Sequence, residues 1–194
     1  MTKDDVGPIT EFGKLMGKIA GEEIQTQVMT GSEAIASAAP EEVAAWLKAA
    51  VQRLDALVDE PTRAQIMTQM GCNCAAMNKA HVEKMWAKQR KFETLDAFIA
   101  AEEKRPSRGS RLVRDGNIVY QFYTPRASFK CRCYCGLWRG LPDNETVSAT
   151  WCQCSKGFVA TVWEGHVGHP VKVELVNCAL SGGEECQFAI HLDG

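Results

Sequence analysis

Cysteine spacing constrains this chain more than any other feature of its 194 residues. Seven of the nine cysteines follow the pattern Cys-x-Cys, and the other two lie near the end of the chain. They are Cys72 and Cys74; Cys131, Cys133 and Cys135; Cys152 and Cys154; and Cys178 and Cys186. Cysteines that close together are poorly placed to bridge each other. In intracellular proteins such clusters are more often metal ligands or redox groups, so we expect reduced thiols that mostly bind something.

The chain is expected to have the α+β fold class, with a helical region over residues 1–105 and an α+β domain over 106–194. Pro40 opens a segment with apolar residues at helical spacing, and Asp59-Glu60-Pro61 ends it and begins another helix. That second helix is expected to stop near Gly71, which would leave Cys72 and Cys74 in a turn. The later region alternates as strands do, with a hairpin near Asp115-Gly116, a helix over 151–168 and antiparallel strands over 169–177 and 186–192.

The stretch "ASFKCRCYCGLW", residues 127–138, is predicted to be a further strand. Side chains on a strand alternate between its faces, so Cys131, Cys133 and Cys135 would point the same way. Three sulfurs strung along roughly 13 Å of strand cannot all reach one zinc ion through bonds of about 2.3 Å. We therefore expect one of the three to be a ligand in a mononuclear site, or a bent segment, or more than one metal.

Residues 152–194 resemble the 4-vinyl reductase domain, which also occurs in the sensory part of aromatic-responsive transcription activators. The resemblance rests on Cys152 with "GF" five residues later, on "GHP" leading into "VKVELVNC", and on "SGGEECQFAI". It implies that Cys152, Cys178 and Cys186 help to bind a structural zinc beside a buried pocket for small aromatic molecules. The Gly-Gly-x-x-Cys-x-Phe tail is also similar, more weakly, to Cys-rich proteins grouped with 2-amino-thiazoline-4-carboxylate hydrolases.

The fourth ligand in those sensory proteins is an acidic side chain, and here the CRCYC segment occupies that region. We expect a thiolate to replace it, Cys135 ahead of Cys133, because Gly136 allows a turn toward the metal. The expected metal ligands are Cys135, Cys152, Cys178 and Cys186. The candidates for an additional metal or redox site are Cys72, Cys74, Cys131, Cys133 and Cys154. The candidate pocket walls are Trp138, Trp151, Phe158 and Trp163, which also suit a core.

These patterns favour a cytoplasmic metal-binding protein with zinc as the cofactor, an iron–sulfur cluster being the alternative. The expected partners are a small hydrophobic or aromatic ligand and a second copy of the chain in a homodimer. An enzyme, either a hydrolase or a redox protein, is a second hypothesis, and no nucleophile–base motif identifies it. Nucleic-acid binding is a third and less favoured hypothesis: residues 104–139 carry nine basic residues and one acidic residue, although such runs are usually surface. No apolar run approaches the roughly 20 residues of a membrane span.

Overall fold

The structure, a computed structural model, describes residues 3–125 and 132–193. Its helices are α1 (Lys3–Ala20), α2 (Glu22–Val28), α3 (Pro40–Leu57), α4 (Glu60–Met77), α5 (Lys79–Gln89), α6 (Leu95–Lys104) and α7 (Ala149–Val167). Its strands are β1 (Ser110–Asp115), β2 (Ile118–Tyr123), β3 (Lys172–Asn177) and β4 (Cys186–His191). Short 3₁₀ turns cover Ser32–Ser37, Gly136–Trp138 and Ala179–Ser181. The α+β class predicted from the sequence is confirmed.

Local capping chemistry sets the starts of the long helices. Pro40 is the first residue of α3, and the Glu42 carboxylate accepts the backbone N–H of Ala39 at 2.8 Å. Asp59 caps α4, where its carboxylate accepts the backbone N–H of Thr62 at 2.9 Å. These caps satisfy amides that have no partner within the helix. The predicted helix starts at Pro40 and near Asp59 are therefore confirmed.

Helix α4 does not stop at Gly71, which corrects the sequence-based prediction. It continues to Met77, so Cys72 and Cys74 are helical residues rather than turn residues. Gly71 is used for packing: a Cβ added to it would lie 1.8 Å from the carbonyl oxygen of Cys154 on α7. Gly157 on α7 has the same role, since its Cβ would lie 2.0 Å from the carbonyl oxygen of Thr68. Two glycines thus let α4 and α7 cross with their backbones in contact.

The described strands form one antiparallel sheet in the order β1-β2-β4-β3. The β1–β2 hairpin turns at Gly116, which has the left-handed φ of +58° that glycine adopts without strain. Tyr123 at the end of β2 pairs with Cys186 at the start of β4. Helix α7 packs on the sheet through Trp163, whose indole N–H donates to Gln121 Oε1 at 2.7 Å. The predicted hairpin and antiparallel strands are confirmed.

The predicted strand over residues 127–138 is wrong where the structure describes it. Residues 132–135 form bends that lead into the 3₁₀ turn Gly136–Trp138, and Cys131 lies outside the described residues. The backbone N–H of Cys135 donates to Cys133 Sγ at 3.4 Å. A side chain that accepts from the backbone two residues later holds the chain in a turn, which competes with an extended strand.

Among the described residues, one large core joins the helices to the sheet. Its buried members include Phe12 and Leu47 from the helical region, Trp151 from α7, and Val119 and Phe188 from the sheet. The division at residues 105 and 106 stays a prediction, since both sides contribute to this core. Within the described ranges, no helix combines the length and apolar character needed to cross a membrane.

Candidate thiol site

Six of the described cysteines meet where the end of the 132–135 segment, the start of α7 and the β3–β4 connection come together. Cys152 and Cys154 lie in the first turns of α7, and Cys186 is the first residue of β4. Cys178 immediately precedes the 3₁₀ turn Ala179–Ser181, while Cys133 and Cys135 precede the turn Gly136–Trp138. Cys152, Cys178 and Cys186 are buried, and the other three are partly buried. These segments are separated in the sequence, so it is the fold that brings their cysteines together.

Cys178 has hydrogen-bond partners on several sides. The Cys152 thiol donates to Cys178 and lowers its pKa to about 6, and the backbone N–H groups of Ser181 and Leu180 also lower it. Cys178 Sγ donates to the Ser181 hydroxyl oxygen at 3.0 Å, and that hydroxyl donates to the carbonyl oxygen of Val147 at 2.7 Å. The hydrogen bond from Cys152 to Cys178 also raises the pKa of Cys152, because it holds the proton on the Cys152 thiol. The pair therefore favours one thiolate, on Cys178.

Two further sulfurs accept backbone N–H groups. Cys186 Sγ accepts from Ala179 at 3.4 Å, and Cys133 Sγ accepts from Cys135 at 3.4 Å. Burial nevertheless raises the pKa of both thiols, and neighbouring thiols raise it further: Cys135, Cys154 and Cys186 act on Cys133. Both groups are thus neutral thiols unless a nearby cation stabilises their charge.

The mutual effects on these pKa values indicate which thiols lie close enough to interact. Cys133 and Cys186 interact, as do Cys186 and Cys178, Cys178 and Cys152, and Cys152 and Cys133. These four thiols therefore form a closed ring of neighbours, which we call the thiol ring (Cys133, Cys152, Cys178 and Cys186). Cys135 contacts the ring through Cys133, and Cys154 adjoins both Cys133 and Cys135.

The cysteines on α4 lie at the edge of this group. Burial raises the pKa of Cys74, and Asn78 donates to its sulfur at 3.5 Å. Cys74 also raises the pKa of Cys154, which indicates that these two thiols lie near each other at the α4–α7 crossing. Cys72 points elsewhere and donates to the carbonyl oxygen of Gly157 at 3.7 Å. Cys131 lies outside the described residues.

Within residues 3–125 and 132–193, no three Cys, His, Asp or Glu side chains are already arranged to hold a metal ion. The eight cysteines of these ranges form no disulfide among themselves. The donor set nevertheless suits a soft cation, because it consists of sulfur and lies in a largely buried position. The arrangement offers chemistry of two kinds, which are thiolate ligation of a metal and thiol–disulfide exchange.

The four aromatic residues expected to line a pocket have different surroundings. Trp138, Trp151 and Trp163 are buried in the main core, with exposed fractions of 2%, 0% and 2%. Phe158 packs beside the small cluster of Ala75, Val82 and Val162 between α4, α5 and α7. A cavity of about 410 Å³ lies beside the β3–β4 connection and is lined by other residues, among them Arg132, Asp143, Ala179 and Gly183.

Two arginines of the basic segment 104–139 form ion pairs, and a third donates to backbone carbonyls. Arg111 forms an ion pair with Glu185 and lies 3.4 Å from the centre of the Phe122 ring. Arg114 pairs with Asp96, and Arg132 donates to the carbonyl oxygen of Pro142 at 2.9 Å. Arg126 and Lys130 lie outside the described residues. These contacts favour the interpretation of the segment as ordinary protein surface.

Sequence reasoning missed the residues that support the sulfurs. Ser181, three residues after Cys178, has the spacing of a capping interaction, and this signal is present in the sequence. The glycines at the α4–α7 crossing gave no such signal, because a glycine inside a helix ordinarily indicates only a less stable helix. The ring also contains Cys133, the less favoured of the two expected CRCYC ligands.

Comparison with known proteins gives one match. The model of a family of unknown function, DUF6144, matches residues 12–193, which includes every described cysteine. No curated protein and no solved structure matches the chain significantly.

Proposed function

The chain belongs to the DUF6144 family of unknown function, and we propose that it binds a soft metal ion, zinc in the first instance, through four thiolates. The proposed ligands are the thiol ring, Cys133, Cys152, Cys178 and Cys186. Four protein thiolates close the coordination of zinc, which is typical of a structural site. Such an ion would link α7, β4 and the segment before Gly136.

One observation carries this proposal: each of the four thiols lies near two of the others, although the chain brings them from separate segments. Cysteine that serves only as a small apolar residue has no reason to collect in this way. A buried group of thiols is otherwise unfavourable once any of them ionises, because the charges repel. A bound cation removes that repulsion, and binding releases the thiol protons.

Hydrogen bonds to the sulfurs support the same ligand set. Cys133, Cys178 and Cys186 each have a backbone N–H donor, from Cys135, from Leu180 and Ser181, and from Ala179. Donors of this kind orient ligands and stabilise the charge that remains on a metal-bound sulfur. Cys135 supplies a backbone donor to Cys133, so we propose Cys133 rather than Cys135 as the fourth ligand.

The test is metal analysis of protein purified without oxygen and without added metal, followed by single Cys→Ser changes in the thiol ring. We expect at least one metal ion per chain in the wild type, and loss of that ion in Cys152→Ser, Cys178→Ser and Cys186→Ser. Zinc gives no visible absorption, whereas an iron–sulfur cluster gives a brown colour and acid-labile sulfide. If the analysis finds iron, the proposed metal changes from zinc to iron and the proposed ligands stay the same.

Cys72→Ser is the matched control. Cys72 is partly buried, as Cys133 is, but its thiol donates to the backbone carbonyl of Gly157 on α7. This variant should keep the wild-type metal content. Full metal content in all ring variants would refute the proposed site, and equal loss in Cys72→Ser would show that metal content reports only on general folding.

A further inference from the structure

The four-stranded sheet has one face that points away from α6 and α7. Helix α7 packs on the sheet where Trp163 donates to Gln121, and α6 packs where Asp96 pairs with Arg114. Side chains on a strand alternate between its two faces, so the residues next to Gln121 and Arg114 point the other way. We call this side the outer face, which comprises the odd-numbered residues of β1 and β4 and the even-numbered residues of β2 and β3.

The centre of the outer face is apolar. Val113, Tyr120 and Ala189 lie side by side in the register of β1, β2 and β4. Ile118 and Phe122 are the next outer-face residues along β2 on either side of Tyr120. Val113 is 43% exposed, and the three β2 side chains are partly exposed. A contiguous group of aromatic and branched side chains with a polar rim is typical of a surface that binds a partner.

The charges of the outer face indicate what kind of partner it fits. Apart from His191, they are two basic residues, Arg111 and Lys172, and two acidic residues, Asp115 and Glu174. Lys172 and Glu174 already form an ion pair at 2.6 Å. Nucleic acids and anionic membranes bind surfaces with an excess of basic residues, which the outer face lacks. A balanced rim around an apolar centre suits another protein surface of the same kind.

The outer face is complementary to a second copy of itself. In the row nearest the β1–β2 turn, Asp115 lies at the β1 edge and Lys172 at the β3 edge. A two-fold axis parallel to the strands would place β1 of one copy over β3 of the other, and β2 over β4. Each Asp115 would then lie opposite Lys172 of the second copy. Each Tyr120 would lie opposite Ala189 of the second copy, so that a large side chain meets a small one.

We propose that two copies of the chain associate through their outer faces, stacked as two sheets about this two-fold axis. Stacked sheets pack about 10 Å apart, a space that the aromatic side chains of β2 are long enough to fill. Four strands about 4.8 Å apart and about 20 Å long would bury roughly 1,000 Å² in total. An interface of that size is small, so the dimer should be reversible and its population should rise with concentration. The outer face contains no residue of the thiol ring, so this inference does not rest on the proposed function.

Sedimentation of the full chain over a range of concentrations tests the inference, and we expect a monomer–dimer equilibrium in the wild type. Asp115→Lys and Lys172→Asp should each weaken dimerisation about tenfold or more, because each change places like charges opposite each other. An equimolar mixture of these two variants should dimerise as the wild type does, because every lysine in the mixed dimer again lies opposite an aspartate.

A second variant tests the centre of the face, and a third is the control. Tyr120→Arg should abolish the dimer, since it would bury a charge between the two sheets. Lys79→Asp reverses an exposed lysine on α5, away from the sheet, and should dimerise as the wild type does. If Tyr120→Arg fails to fold, the mixture of Asp115→Lys and Lys172→Asp decides.

Three results would overturn the inference. They are a wild type that stays monomeric at high micromolar concentration, a dimer that persists in folded Tyr120→Arg, and a mixture of the two charge variants that dimerises no better than either alone. A monomeric wild type that binds single-stranded RNA, and loses this binding in Tyr120→Arg, would assign the outer face to nucleic acid instead.

Discussion

His166 in the last turn of α7 is a partly buried histidine without a hydrogen-bond partner on Nδ1 among the described residues. Its ring lies between Phe98 and Trp163, with ring centres 5.4 and 5.5 Å away. Burial lowers its pKa to about 4, and the charge of Arg90 contributes in the same direction. The folded protein therefore keeps this imidazole neutral in a pH range where an unfolded chain would protonate it.

This difference predicts a pH-dependent loss of stability. The unfolded histidine has a pKa of about 6.5, so between about pH 6.5 and pH 4 the unfolded state takes up a proton that the folded state does not. Stability is lost as the pH falls through this window, by about 1–2 kcal/mol after allowance for partial exposure. Urea unfolding at pH 7.5 and pH 5 should show a smaller pH effect in His166→Phe than in the wild type.

The exposed His81 on α5 provides the control for that comparison. His81→Gln should lose as much stability between pH 7.5 and pH 5 as the wild type does, because this variant still contains His166. If His166→Phe lost as much stability between pH 7.5 and pH 5 as the wild type does, burial of this imidazole would not be the cause.

At the scale of elements, the α4–α7 crossing predicts the effect of a single methyl group. Alanine ordinarily favours a helix over glycine by about 1 kcal/mol. In Gly157→Ala, however, the new Cβ would meet the Thr68 backbone at 2.0 Å, where no side chain is present to move aside. We expect overpacking to destabilise the protein by a net amount of about 1–3 kcal/mol, measured by denaturant unfolding. The distance between Cys74 and Cys154 should also increase.

Gly13→Ala in α1 is the matched control. Its Cβ would meet only flexible side chains, Met29 at 3.2 Å and Gln25 at 3.7 Å. This variant should have a stability near that of the wild type or above it. Equal destabilisation by both changes would mean that glycine is needed for some reason other than the close crossing.

Elements with strong local signals could be predicted from the sequence, and elements defined by distant contacts could not. Pro40 and Asp59 mark helix starts by chemistry within one turn, and the hairpin at Gly116 is equally local. The role of Gly71 was mispredicted because Gly71 packs against the backbone of Cys154, which is more than eighty residues away in the sequence. The alternating cysteines suited a strand, but a backbone N–H bond from Cys135 to Cys133 Sγ turns the chain instead.

The candidate site divides in the same way. Resemblance to a known domain singled out Cys152, Cys178 and Cys186, which do meet in the fold. The choice between Cys133 and Cys135 depends on how the segment bends, because in a strand these two side chains, two residues apart, would point the same way. The link between Cys74 and Cys154 depends on the helix crossing, and sequence spacing within either helix carries no information about it.

On the scale of the whole molecule, helix α7 connects the two kinds of structure. It packs most extensively against α4 and also against β3 and β4, and its buried residues belong to the core shared by the helices and the sheet. Metal bound at the first turns of α7 would therefore stabilise both sides at once. A protein with one shared core is also expected to unfold in a single transition.

Removal of the metal with a chelator should lower the melting temperature of the whole chain, in one transition. A loss of several kcal/mol of metal binding energy corresponds to a decrease of roughly 10 °C or more, at about 2–4 °C per kcal/mol for a chain of this size. Scanning calorimetry gives the melting temperature, and hydrogen exchange should show α4 and β4 losing protection together, because α7 holds both. Cys186→Ser should resemble the chelated wild type, and Cys72→Ser should not. Two separate transitions, or loss of protection confined to the sheet, would show that the helices fold independently of the metal centre.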